Sequence, residues 1–431
     1  MSRRRGIVLF LLFSAVFLGA NSAAYRGYFQ DDEIDNLSWT PYVTPFEYLK
    51  GALTPLYQPN NFRPAGHFYF HALEAAAGLE FPVYVAVLQA FHLLNVWLLW
   101  LVVRRLGAGP LPAAAACAFF GLHMALFDNF WKPMYVFDVL CGTFSLVSLL
   151  CWMRGRWILS FAAFWLAYKS KELAVMLPIA LALYEVWFGQ RRWKPLLAFF
   201  AASLSFGLQG VLLNPNRDND YTFRFTLAAV ARSAPYYAGR FFLTPWLGFA
   251  VPLFALLARH RRTWFGLAAM ALFLFPLVFL PGRLFSAYCY LPLAGLAIAL
   301  TGVAEAASPG AVAALALLML PLDYRELRHA SRDTLARDRE IRTWMDTVEQ
   351  FAAANPGARA FVFEGAPRGF ERWGVEGALR YFYARGDLAI RAASEPGAAE
   401  LLASRGTAEL RWNPAIRRLE IDYPPRSPGP Y

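Results

Sequence analysis

The chain has 431 residues, 58% of them hydrophobic and only 16% charged, and its mean hydropathy is +0.36. Soluble domains carry roughly 25% charged residues, so this composition excludes an ordinary water-soluble enzyme and describes an integral membrane protein with several spans. The net charge of +11 comes from 41 Lys and Arg against 30 Asp and Glu. These basic residues punctuate apolar runs instead of forming one stripe, which excludes nucleic acid as a partner and makes the lipid bilayer one.

The chain opens on Arg3-Arg4-Arg5 and an apolar run from Gly6 to Ala24, which predicts a first membrane helix, either a retained signal anchor or a cleaved signal. Either way the next stretch, Gln30-Asp31-Asp32-Glu33-Ile34-Asp35-Asn36, is placed outside. Its four acids repel one another and need solvent, cations or a polar ligand, so it reads as a solvated loop or as part of an active site. The external segment from Leu37 to Glu80 is rich in Pro, Tyr and Phe, and predicts short helices lying along the membrane. Further spans are predicted at Val83–Val103, Pro112–Phe127, Met134–Met153, Trp157–Tyr168 and Leu173–Phe188. Pro195–Leu213, Tyr237–Ala258, Trp264–Leu280, Tyr288–Val303 and Ala311–Leu322 complete the set. Every second boundary is basic, which predicts about eleven helices with the N-terminus inside and the C-terminus outside.

Some basic residues nevertheless fall outside, namely Arg63, Lys132, Lys169, Lys171, Arg217, Arg224 and Arg283. Each is a candidate to pair with an acid or to grip a phosphate. From Asp323 onward 17 basic residues stand against 16 acidic ones, as on a soluble surface. There Arg325–Ala354 predicts a long polar helix, and Ala358–Glu364, Leu388–Arg391 and Leu419–Tyr423 predict strands. The expected organisation is a membrane domain over 1–322 and a small C-terminal α/β domain over 323–431. The four cysteines, Cys117, Cys141, Cys151 and Cys289, sit in or beside apolar segments and predict no disulfide framework.

Chemistry concentrates on the outer face. The acids Asp31, Asp32, Glu33 and Asp35 are followed by Arg63, His67 and His71; by Asp128, Lys132 and Asp138; by Lys169, Lys171 and Glu172; and by Arg283, Tyr288 and Tyr290. Acids beside cations and tyrosines suit the holding of a lipid phosphate while a carboxylate deprotonates an acceptor hydroxyl. His67 and His71, one helical turn apart, can pack and hydrogen-bond, or can hold a divalent metal with Asp31 or Asp32. His92 and Asn95 lie inside a span and read as a hydrogen-bonded structural pair. External Tyr25, Tyr28, Trp39, Tyr42 and Trp131 can stack on a sugar.

The ordered set Asp31-Asp32, Arg63-Pro64, His67-Phe68, His92-Leu-Leu-Asn95, Arg104-Arg105-Leu-Gly107, Phe137-Asp138, Ser170-Lys171-Glu172 and Tyr290-Leu-Pro292 resembles a known superfamily. It is similar to the GT-C membrane glycosyltransferases, in particular the protein O-mannosyltransferase group with its TMTC-type and bacterial relatives. The resemblance covers about residues 25 to 300, omits the C-terminal domain, and departs at Val136, where relatives often carry an Arg.

The resemblance implies an all-α polytopic bundle in a bacterial inner membrane. It implies transfer of a sugar, a mannose-like hexose, from a polyprenyl-phosphate carrier to an acceptor hydroxyl on the extracytoplasmic face. Asp31 or Asp32 would act as general base, bind a metal, or both. Arg63, Lys171, Arg283 and Tyr290 would hold the donor phosphate, and Asp138 and Glu172 would be further acids near the acceptor. Protein, lipid and glycan all remain open as acceptors. The alternative is a transporter or flippase of lipid-linked sugars; such proteins place ionisable residues near the midplane, often in repeated halves. Here the charges sit at helix ends and no repeat is present.

Overall fold

A computed structural model describes residues 3–56, 62–213, 220–404 and 406–423. Arg217 and the polar stretch around it lie outside the described residues. The chain forms two compact units. One comprises Met1–Ser22, Pro45–Gly66 and Val85–His329; the other comprises Ala23–Thr44, His67–Tyr84 and Ala330–Tyr431. The acidic stretch and the His67–His71 turn therefore belong to the second unit, beside the C-terminal segment.

The first unit is helical. Among the described residues four helices are long and apolar enough to cross a membrane: Phe81–Arg105, Pro133–Met153, Arg261–Phe279 and Ser286–Ala306. Pro110–Leu122 and Met124–Trp131, bent by 41° about His123, make a fifth if they form one span. Among the described residues, four or five spans stand by length and composition where about eleven are expected from hydropathy. Trp157–Ser170 has 14 residues and Leu177–Trp187 has 11, whereas a span needs about 20 at 1.5 Å per residue. The apolar run from Tyr237 to Ala258 is broken internally. Its first helix stops at Phe241, Leu243 and Trp246 take positive φ (52° and 66°), and the chain resumes as a 3-10 turn over Leu247–Leu253 containing Pro252.

Small residues let the helices of this unit approach closely. A Cβ on Gly266 would lie 2.2 Å from the amide nitrogen of Ala299, and one on Gly295 would lie 2.6 Å from that of Met270. A buried polar knot fixes the register of four helices. The Tyr290 hydroxyl donates to His92 Nδ1 (2.9 Å), and His92 Nε2 donates to the Gly121 carbonyl (3.1 Å). Asn95 donates to that same hydroxyl and to the Val139 carbonyl, both at 2.9 Å. Leaving any of these groups buried without a partner would cost several kcal/mol, about 2–7 in apolar surroundings.

The second unit is built on a four-stranded sheet in the order β2-β1-β3-β4. Central β1 (Ala360–Glu364) pairs in parallel with β2 (Ala389–Ala392) and β3 (Thr407–Asn413), and β4 (Arg418–Asp422) returns antiparallel to β3. Buried Phe361, Val362 and Phe363 explain the central place of β1. Strands β1, β2 and β4 fall on the predicted segments. β3 was missed, although Ala408, Leu410 and Trp412 alternate there with polar residues.

The predicted polar helix is the end of a 46-residue helix, Pro309–Ala354. Within the second unit that helix buries Ile341, Trp344, Met345, Val348 and Ala352 along one face. Helix Asp31–Trp39 lies against helix Arg372–Tyr383 because Gly377 has no side chain: a Cβ there would sit 2.8 Å from Asp35 Cα. Gly377→Val is accordingly expected to destabilise this packing by about 3 kcal/mol, because backbone cannot yield as a side chain can. Faster amide hydrogen exchange along Arg372–Tyr383 in the full chain would report it.

Candidate functional site

The four acids of the Asp31–Asp35 stretch differ in burial and in partners. Buried Glu33 accepts from the Gln30 amide (2.5 Å) and closes the capping box of its own helix. Asp31 Oδ1 accepts from the amides of Glu371 (3.0 Å) and Gly374 (2.6 Å), so it caps helix Arg372–Tyr383. Asp35 is half-buried, whereas Asp32 is exposed. Burial raises the Asp31 carboxyl to about 7, against the two amides that pull it down. Burial, helped by the Asp32 charge, raises Asp35 to about 6.

Both shifts have the same consequence for stability. A carboxyl raised from 3.8 favours the folded form most in acid, and that contribution fades as pH climbs through the folded value. Protection factors in Arg372–Tyr383 are therefore expected to fall between about pH 4 and pH 7. Asp31→Asn should flatten the slope.

The histidines serve packing. His67 is buried edge-on to the Trp39 ring at 4.7 Å, and His71 Nδ1 lies 3.0 Å from the Thr40 carbonyl. Among the described residues no three His, Cys, Asp or Glu side chains gather in a metal-holding arrangement.

The first unit contains a cavity of about 280 Å³. Its polar end is made by Arg63, Asp138, Lys171, Glu172, Arg283 and Tyr288, and its apolar wall includes Tyr168, Phe206, Leu277 and Leu280. Arg63 comes just before helix Pro64–Ala77, Asp138 lies in the first turn of helix Val136–Met153, and Lys171 caps the C-terminus of helix Trp157–Ser170. Helix ends thus deliver the charges. Lys171 Nζ sits 2.6 Å from Asp138 Oδ2, and Arg63 grips Glu172 with two nitrogens at 2.8 and 3.0 Å. The Lys171 ammonium also lies 4.2 Å from the centre of the Tyr288 ring. Arg283 is flanked by Tyr221 and Phe285, at 4.2 and 4.6 Å. Three cations face two carboxylates, which leaves the polar end net positive.

Of the basic residues expected outside, Arg63, Lys171 and Arg283 therefore line one cavity. Lys132 instead pairs with Asp128 at 2.9 Å, and buried Lys169 donates to the Thr54 carbonyl at 2.7 Å. Tyr290, expected at the donor phosphate, is buried in the knot with His92 and Asn95, and Tyr288 is the tyrosine of this segment that lines the cavity. Tyr221 and Phe206 were not singled out from sequence, where nothing separates them from the many interfacial aromatics.

The chain is similar in fold to three solved structures. ArnT from Cupriavidus metallidurans in the apo state shows a TM-score of 0.56 and 13% identity over 96% of this chain and 94% of its own. The same protein bound to undecaprenyl phosphate gives 0.55 and 14% over the same shares. The arabinofuranosyltransferase AftD from Mycobacteria gives 0.55 and 15% over 96% of this chain, which spans only 35% of AftD. No family model matches the chain, and no curated protein matches it by sequence.

Proposed function

We propose that the protein is a membrane glycosyltransferase that takes a sugar, a hexose of the mannose type, from a polyprenyl-phosphate carrier. Its acceptor is a hydroxyl on the extracytoplasmic side of the inner membrane. The observation that carries this reading is the cavity in which Arg63, Lys171 and Arg283 stand beside an apolar wall. A phosphate joined to an isoprenoid has that chemistry, charged at one end and greasy at the other. The wall also contains Gly207 and Gly210, where a Cβ would meet no atom within 4 Å, so there is space beside it. ArnT bound to undecaprenyl phosphate supports the carrier, and AftD supports sugar transfer on this fold.

In this reading the acceptor oxygen forms a bond to the anomeric carbon as the bond from that carbon to the phosphate oxygen breaks. We assign the acceptor proton to Asp32, an exposed acid of the stretch in which the family resemblance places the base. Charge building on the leaving phosphate is met by Lys171, Arg63 and Arg283. Asp138 and Glu172 hold two of these cations in place, which is electrostatic preorganisation.

The test uses the purified chain in liposomes with a panel of polyprenyl-phosphate sugars, mannosyl carrier included. Released polyprenyl phosphate and sugar on the acceptor are both measured. Turnover would support the transferase and name the donor. Carrier that crosses the bilayer intact, with no release, would replace this reading with a flippase.

A further inference from the structure

A second cavity, of about 580 Å³, lies in the second unit. Its walls include the rings of Tyr42, Tyr381 and Phe382 and the carboxylates of Glu74 and Glu349. No lysine or arginine lines it among the described residues. The Tyr381 hydroxyl lies 3.3 Å from Glu74 Oε1 and donates to it, which fixes one carboxylate relative to one ring. Tyr42 is 61% exposed and Glu349 is exposed as well, so ring and acid both meet solvent at this cavity.

The lining selects by charge. Two carboxylates, with no lysine or arginine in the lining among the described residues, repel phosphates and acids and raise the local concentration of positive ligands. Aromatic faces add to that attraction, because their quadrupoles present negative charge to a cation above the ring. A bare metal ion does not fit the lining: it would need several closely set oxygen or nitrogen ligands, and no three His, Cys, Asp or Glu side chains gather among the described residues. The volume instead lies in the range of small-molecule sites, about 300–1,000 Å³.

We propose that this cavity binds an organic cation, an alkylammonium group carried on a frame between choline and an amino sugar in size. The site is independent of the transfer reaction proposed above and stands or falls without it. Two sources share this chemistry: a glycan containing a free amino sugar, and a lipid bearing a trimethylammonium head.

Calorimetric titration of the full chain in detergent at neutral pH tests the proposal, with glucosamine, choline, glucose and N-acetylglucosamine as probes. Glucosamine or choline, or both, should bind, and the two neutral sugars should not. Binding of glucosamine alone points to the glycan; binding of choline alone points to the lipid head. Glu349→Gln and Tyr42→Ala should each weaken the bound cation about five-fold. Both residues are exposed, so the variants are expected to fold, and their circular dichroism would confirm it. Three results would overturn the proposal: neither cation binding at high millimolar concentration, glucose binding as well as glucosamine, or Glu349→Gln leaving cation affinity unchanged.

Discussion

Lys171→Met, with Asp138 left in place, is expected to lower carrier release by about 10²–10³ and to destabilise the first unit. Adding Asp138→Asn should restore the stability but not the turnover. The pair is close, at 2.6 Å, and its side chains are only 16% and 5% exposed. Removing the ammonium leaves a carboxylate in a site that was built around an opposite charge. For buried pairs that loss is about 3–5 kcal/mol, whereas removing both charges together is often nearly neutral. Activity responds to a different interaction. Loss of one preorganised charge facing a developing anion lowers the chemical step by about 10²–10³, and the double variant lacks that charge as surely as the single one. Thermal denaturation of both variants, read beside polyprenyl phosphate release per folded molecule, separates the two effects. A double variant that turned over at the wild-type rate would remove Lys171 from the reaction.

Asp32→Asn should give the opposite division from its neighbour. The side chain is exposed, so the substitution is expected to leave thermal stability unchanged while lowering transfer by about 10²–10⁴, the range for loss of a general base. Asp31→Ala removes the acceptor that caps helix Arg372–Tyr383 at the amides of Glu371 and Gly374. Its expected cost is about 1–2 kcal/mol of stability, with transfer per folded molecule largely retained. Hydrogen exchange on that helix and initial rates on the same preparations would measure both. Equal losses of transfer in the two variants would contradict the assignment of Asp32 as the base.

Bilayer residence and the approximate position of each apolar segment were legible in the sequence, because transfer out of water depends on side-chain type summed over a local window. For a similar reason short β-rich runs announced three of the four strands. Hydropathy does not register helix breaks. The turn at Leu243 and Trp246 and the bend at His123 are therefore seen only in the folded chain, and with them the number of spans.

The acidic stretch shows the same division at the level of single residues. Asp31 and Asp32 are chemically identical neighbours, and nothing local distinguishes them. What separates them is a pair of amides at Glu371 and Gly374, 340 and 343 residues away. Likewise, the cavity of the first unit draws Arg63, Asp138, Lys171 and Arg283 from separate segments, and Tyr290 is claimed by the knot with His92 and Asn95. Which charges meet is set by how helices pack, and packing depends on contacts between residues far apart in the chain. Composition and local pattern set apart a long apolar part and a charge-balanced C-terminal part; only the tertiary structure decided which of the many charged side chains share a site.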